Sequence, residues 1–389
     1  MTMLRDLSLS AIVAGFVTVL VGFTSSAVIV FQAATAVGAG QAEIASWMWA
    51  LGLGMGLTCI GLSLRYRMPV VTAWSTPGAA MMITGSAGIT LPEATGAFIV
   101  SGLLITLVGF SGWFERAISR IPVSIASGML AGVLLRFGLE LFVVIKAQFL
   151  LVFSMFAVYL AMRRVLPRYA VICAFLLGIA IAAMQGLMHT ESLRFDFATP
   201  VWITPVFSVS ALVGVALPLF VVTMASQNVP GVAVIRASGY PIPISPAVGW
   251  TGIANVVFAP FGAFAINLAA ITAAICMGRE AHEDTKRRYM ASVSAGVFYI
   301  LIGLFGATVG AFFAAFPHEL VAAIAGLALI GTIGNGLAAA TANERDREPA
   351  LVTFLVAASG VTLFGIGSAF WGLIAGAMTL GVLRAGVRK

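Results

Sequence analysis

Long apolar stretches follow one another along this chain, with only short charged interruptions between them. They run over about 11–36, 44–64, 70–86, 95–112, 120–138, 147–162, 169–188, 206–235, 246–259, 261–277, 289–314, 319–340, 349–367 and 370–384. A helix needs roughly 20 apolar residues to cross the hydrocarbon core, and most of these stretches approach or exceed that length. Two are interrupted. In "MPVVTAWSTPGAAMMITGS" (68–86), the part up to Trp74 is β-branched and extended in character. Ser75, Thr76 and Pro77 then read as a helix start, with a hydroxyl cap and a proline in the first turn. In "APFGAFAINLAAITAAICMG" (259–278), Pro260 and Gly262 break the preceding helix, and a short helix is expected from Ile266 or Asn267. The pattern predicts an all-α polytopic membrane protein of about 14 segments, with segments 3 and 10 each a short strand plus a half-helix.

The two interrupted segments lie nearly half the chain apart. A second echo joins "IPVSIASGMLAGVLL" (121–135) to "FPHELVAAIAGLALI" (316–330), each a proline followed by a helix rich in small residues. Seven segments per half is an odd number, so the second copy must be inverted in the membrane. The expected repeats are 1–188 and 206–389. Inverted repeats with broken helices at matching places point to a secondary transporter with its site near the bilayer midplane.

Charge fits this layout. With the N-terminus cytoplasmic, 18 of the 21 Lys and Arg fall in inside loops or tails, and only Arg136, Lys146 and Arg194 fall elsewhere. That bias places both termini in the cytoplasm. The chain is 61% hydrophobic and 9% charged, against roughly 25% charged in soluble domains. Its +7 balance reads as basic loops facing anionic lipid, not as nucleic-acid binding. "MTMLRDLSLS" carries no signal-cleavage pattern, so the first stretch is expected to be a retained span. Cys59, Cys173 and Cys276 sit in apolar runs, which predicts neither a disulfide framework nor a metal site. There is no Walker loop, HExxH or Ser-His-Asp spacing, and "GREAHEDTKRRY" (278–289) reads as a solvated loop. No catalytic residue and no cofactor are expected.

A half-helix that ends inside the membrane presents free N–H groups and a partial positive charge at its first turn. Two such ends facing each other make an anion site suited to a carboxylate. Ser75 and Thr76 stand at the first end and Asn267 at the second. Ser25 and Ser26 fall near the midplane of the first segment, and Ser226, Gln227 and Asn228 lie in the eighth before Pro230. Trp74, Phe31, Phe261 and Phe264 are candidates for a flat apolar wall. All fourteen Asp and Glu lie in loops or at helix ends, so no acid relay is expected at mid-membrane.

"TAWSTPGAAMM", "SQNVPGVAVIRASGYPIPISP" and "FGAFAINLAAITAAICMGREAHED" resemble the benzoate/proton symporter family, BenE, and the resemblance extends over essentially the whole chain. It implies a bacterial inner-membrane carrier that imports benzoate with a proton. The family is similar in architecture to the uracil permease type. That likeness implies a core domain (about 9–112 plus 206–314) moving against a gate domain (about 119–188 plus 316–386), with the gate domain available for a homodimer. Carried over by position, the ligand groups fall near Ser226, Gln227 and Asn228, near Ser75 and Thr76, and near Ala265, Ile266 and Asn267. Uracil permeases place carboxylates there, and this chain does not. The loss suits an anionic substrate but removes the obvious proton carrier. The proton then travels with the bound carboxylate or uses a peripheral group, for which Glu140 and His318 are the candidates. An anion exchanger or channel of the sulfate-transporter type, a nucleobase permease and a uniporter are the alternatives on this architecture.

Overall fold

The computed structural model describes residues 6–86, 88–118, 121–188, 197–305, 316–361, 363 and 368–386. The chain begins with α1 (Leu9–Ala36), capped by the Ser8 hydroxyl, and α2 (Gln41–Tyr66). A short strand, β1 (Thr72–Ala73), leads into α3 (Thr76–Gly85). Then come α4 (Leu91–Phe110), the short α5 (Trp113–Ile118), α6 (Val123–Val143), α7 (Phe149–Val165) and α8 (Ala170–Met184). The second half opens with the 29-residue α9 (Val209–Ala237). Its ladder slips into π turns at Leu212–Ala216 and Met224–Asn228. Pro218 and Pro230 follow these turns closely, and a proline supplies no N–H to the helical ladder. Next are α10 (Ile244–Phe258), β2 (Asn267–Leu268), α11 (Ile271–Met277) and α12 (Tyr289–Phe305). The chain closes with α13 (His318–Thr341), α14 (Glu344–Ser359) and α15 (Ser368–Gly386).

Among the described residues, seven helical stretches are long and apolar enough to cross a membrane, those of α2, α4, α6, α9, α10, α12 and α13. Large apolar side chains such as Phe149, Leu150, Leu176, Val213 and Val382 stand exposed, as lipid-facing positions require. α2 packs against α12, α4 against α10, and α1 against α12, α3 and α11. Elsewhere α6 packs against α13 and α14, α7 against α8, and α14 against α15. The last turns of α9 touch α6, and α11 touches α13.

Both interrupted segments have the expected strand-then-helix form, but the second helix starts later than residue 266 or 267. Its first helical residue is Ile271. The reason lies in the preceding backbone. Gly262 turns left-handed (φ 101°) after the 3-10 turn Ala259–Phe261, and Ala265 is left-handed too (φ 46°). Ile266 is held by a side chain of α10, and Asn267 and Leu268 pair with β1. Helical hydrogen bonding starts only after those groups are spoken for. α14 instead begins early, at Glu344, ahead of its apolar stretch, because Asn343 caps it. The expected stretch 289–314 is helical to Phe305, and 306–315 lie outside the described residues.

Candidate functional site

The two strands cross as an antiparallel pair with Thr72 opposite Leu268 and Ala73 opposite Asn267. Ala269 N–H also donates to Val71 O at 2.9 Å. Because the strands are antiparallel and each feeds a helix, α3 and α11 leave the pair in opposite directions with their N-termini toward it. The pair is fully buried apart from the partly buried Ala73. Irregular backbone in a membrane protein is tolerated only where protein satisfies its polar groups, and here the flanking helices do so.

β1 is held by α2. The Thr72 hydroxyl donates to Met55 O at 3.0 Å and lies 2.7 Å from the Thr58 hydroxyl. Thr72 N–H reaches the Cys59 sulfur at 3.1 Å. The Ser63 hydroxyl accepts from Val70 N–H at 3.1 Å and donates to Val70 O at 3.0 Å. β2 is held by two asparagines. Asn255 Nδ2 donates to Ile266 O at 2.9 Å, and its Oδ1 accepts from Ile266 N–H at 2.6 Å. Asn228 Oδ1 accepts from Leu268 N–H at 3.0 Å, while its Nδ2 points at the Met224 sulfur at 3.3 Å. Asn228 therefore spends its amide on the strand. Asn255 was not among the sequence-derived candidates. The available signal was a lone asparagine inside "GIANVVFAP", just before the Pro260 break.

At the first half-helix, Ser75 is fully buried and its hydroxyl accepts from Gly78 N–H at 3.0 Å, a direct N-cap. Thr76 is the first helical residue and is half-buried. Trp74 Nε1 donates to the Ser26 hydroxyl at 3.0 Å, and Ser26 back-bonds to Gly22 O at 2.9 Å. Phe23 meets the Trp74 ring edge-on at 4.8 Å between centroids. Ser26 thus orients the indole beside the strand pair. The Ser25 side chain lies outside the described residues.

Asn267 is the polar side chain of β2, and it is 0% exposed. Its Nδ2 donates to Ala265 O at 2.8 Å. Its Oδ1 has no partner. Flipping the amide would set Oδ1 against the Ala265 carbonyl, so the bond fixes which end is free. A buried acceptor without a donor costs about 1–3 kcal/mol, and a left-handed non-glycine such as Ala265 costs about 1–3 kcal/mol. Among the described residues Asn267 Oδ1 is one of several buried side-chain atoms without a partner, and it is the one that lies on the strand pair.

Other sequence-derived candidates lie outside the two strands themselves, although the π turn that carries Ser226 and Gln227 touches β2. Ser226 and Gln227 lie in the second π turn of α9, Ser226 buried and Gln227 half-buried. Phe264 packs into an aromatic cluster with Trp47 (5.5 Å) and Phe98 (5.7 Å). Phe261 meets Trp49 and Trp202 edge-on. Glu140 is half-buried near the end of α6, and His318 is exposed at the first residue of α13. The structure brings neither to the strand pair.

The C-terminal end of α11 is fixed by Arg288, from the stretch 278–289 that in sequence alone reads as a solvated loop. Arg288 is 8% exposed. It donates to Met277 O and His282 O, each at 2.7 Å. A guanidinium at a helix C-terminus satisfies orphan carbonyls and complements the macrodipole. The Thr18 hydroxyl, 3.4 Å from Thr272 O and 3.2 Å from the Cys276 sulfur, ties α11 to α1.

Among solved structures, the chain is similar to SLC26A9, with a TM-score of 0.47 and 12% identity over 93% of this chain and 66% of that longer one. It is also similar to the transmembrane domain of the cyanobacterial bicarbonate transporter BicA, with a TM-score of 0.42 and 14% identity over 96% of each. Inner membrane protein YdcO of Escherichia coli is 52% identical over 372 residues, 96% of this chain and 95% of YdcO. A benzoate membrane transport protein of Acinetobacter baylyi is 41% identical over 382 residues, 98% of this chain and 97% of the relative. The profile of BenE, benzoate membrane transport protein, matches residues 5–382, and with near-full-length relatives beside it this multi-pass chain belongs to that family of membrane transporters.

Proposed function

We propose that this protein is a secondary transporter that imports benzoate, or a close aromatic monocarboxylate, across the bacterial inner membrane together with one proton. The substrate class rests on the family and on the benzoate transport protein of Acinetobacter baylyi among its relatives. The site is the crossed strand pair with the N-terminal turn of α3. The observation that carries it is the buried Asn267 Oδ1 without a donor.

The chemistry follows from what that atom can accept. A carboxylate offers only acceptor oxygens, so beside Asn267 Oδ1 it gains nothing. A protonated carboxylic acid has one O–H, which Asn267 Oδ1 accepts. Its carbonyl oxygen turns toward the first turn of α3, where Ser75 caps one N–H and the remaining free N–H groups are donors for it. α11 has only seven residues, so α3 is the stronger of the two ends. Trp74, oriented by Ser26, supplies a face for the ring. The proton enters as part of the substrate, and no midplane Asp or Glu is needed to carry it. Ser226, Gln227, Thr76, Ala265 and Ile266 are assigned to the surround of this site.

The wider architecture in this reading is fourteen segments in two inverted sevens, with both termini cytoplasmic. The bodies that move are α1–α4 with α9–α12, and α6–α8 with α13–α15, alternating access between the two faces. The packing within each set of helices supports that division. The second body is where a homodimer would form.

The test is uptake of labelled benzoate into proteoliposomes with and without an inward proton gradient. Saturable uptake that follows the gradient and collapses with an uncoupler is expected, competed by substituted benzoates and not by uracil or sulfate. Uptake indifferent to gradient and uncoupler would make the protein a uniporter or exchanger. Transport of sulfate or a nucleobase in place of benzoate would overturn the substrate.

A further inference from the structure

Glu280 is an acid the transport mechanism above does not use, and its setting is unlike that of the other loop acids. It lies three residues beyond α11 and is only 8% exposed. Its Oε1 accepts from Arg163 Nη1 at 2.7 Å. Arg163 stands in the last turn of α7. Both carboxylate oxygens lie against space that a glycine leaves open. A Cβ at Gly331, on α13, would come within 2.9 Å of Oε1, and a Cβ at Gly278 within 2.8 Å of Oε2. Arg163 also lies over the Tyr159 ring, 5.6 Å from its centroid. A narrow crevice opens beside the carboxylate, lined by Ser10, Ala14 and Val17 of α1, Ile275 of α11, Val171 of α8 and Ala328 of α13.

These partners belong to different sets of helices. Glu280 extends from α11, which packs on α1. Arg163 and Gly331 belong to α7 and α13, which pack with each other. The pair lies on the face crowded with Arg163, Arg164, Arg279, Lys286, Arg287 and Arg288, the face that the positive-inside bias assigns to the cytoplasm. A displacement of one body against the other that opened this crevice would have to draw the carboxylate out of its glycine cradle and off Arg163.

We propose that the Arg163–Glu280 pair, seated against Gly331, is the cytoplasmic latch that holds the two bodies closed. The inference rests on the alternating-access reading. Its physical basis is that a buried charge left without its partner is strongly disfavoured. Arg163 reaches the surface (39% exposed), and the buried partner is Glu280, whose side chain is 7% exposed. The closed face is therefore held while the carboxylate stays buried against Arg163, and it is released when the bodies part far enough for water to reach Glu280. Intermediate, half-open arrangements are disfavoured, which makes the contact a two-state element.

The test uses the full-length protein in liposomes with a Ser10→Cys reporter in the crevice. An impermeant maleimide is applied from the cytoplasmic face, and benzoate uptake is read on the same preparations. Glu280→Gln and Arg163→Gln are expected to raise the labelling rate about tenfold, as the open state moves from a few per cent toward parity. Gly331→Ala, which displaces Oε1 without changing charge, is expected to raise it too. Arg163→Lys, which keeps the cation, is expected to stay within about twofold of the parent, since the closed state keeps its ion pair. Parental labelling in both glutamine variants, or equal labelling in Arg163→Lys and Arg163→Gln, would overturn the latch. Faster labelling in a protein that moves no benzoate would keep the latch and remove the substrate assignment. Parental labelling alongside gradient-driven benzoate uptake would remove the latch alone.

Discussion

Asn255→Ala isolates how the strand pair is held. Asn255 is 1% exposed, and its amide makes both of its bonds to the Ile266 backbone, at 2.6 and 2.9 Å. Alanine leaves the Ile266 N–H and C=O buried with no partner. Each orphaned group costs about 1–3 kcal/mol, so the range is about 2–6 kcal/mol, and partial relaxation brings the expected loss to about 3 kcal/mol. For a chain of this size that is a fall of about 4 °C in the unfolding midpoint. The assay is thermal unfolding of purified protein in detergent, followed by size-exclusion fluorescence, beside Asn267→Ala as the comparison. Asn267 makes one bond, to Ala265 O two residues away, so its loss is expected to cost less than 1 kcal/mol of net stability. The two variants should therefore separate. Asn255→Ala lowers stability and transport together, whereas Asn267→Ala lowers transport with little change in midpoint. An Asn255→Ala midpoint within about 1 °C of the parent would refute the claim that this amide supports the strand.

Three further outcomes are expected. Arg288→Gln removes the guanidinium from the Met277 and His282 carbonyls and should destabilise by about 1–3 kcal/mol, read as a lower midpoint and faster proteolysis of the 278–288 loop. Gly52→Ala places a Cβ 2.6 Å from the Gly303 Cα. Since both atoms belong to packed helices, the loss should be about 1–3 kcal/mol, whereas Gly61→Ala on the same helix, with open space around it, should be neutral or slightly stabilising in the same unfolding assay. Thr72→Val keeps the shape of the side chain but removes the hydroxyl bonds to Met55 O and Thr58. It should cost about 1–2 kcal/mol and slow benzoate uptake, and a stable, fully active valine variant would show that the β1 anchor is dispensable.

Much of the frame was legible because it depends on local signals. Apolar run length marks α2, α4 and α13. The Ser75, Thr76 and Pro77 run marks the start of α3, where the serine cap forms as its chemistry requires. The start of α11 was not legible. Its delay to Ile271 depends on Asn255 and Asn228 reaching across from other helices to claim the preceding backbone, and no local pattern encodes that reach. The same holds for Thr58, Cys59 and Ser63. Read along α2 they look like tolerated small polar residues, yet in space they satisfy β1. Phe264 looked like a wall residue because it adjoins the strand, but its ring turns into the Trp47 and Phe98 cluster. The charge run at 278–288 read as solvated because burial of Glu280 and Arg288 depends on partners more than a hundred residues away or on carbonyls exposed by a helix end.

The central claim is that benzoate binds with its proton, donated to Asn267 Oδ1, and the most direct measurement is the pH dependence of benzoate affinity for the purified protein. Above the pKa of a free carboxyl, binding that takes up one proton weakens by about tenfold per pH unit. The account predicts that slope between pH 5 and 7 for the parent, and its loss together with most of the affinity in Asn267→Ala. A dissociation constant that stays flat across that range in the parent would mean that the anion binds alone, and the role given to Asn267 would be wrong.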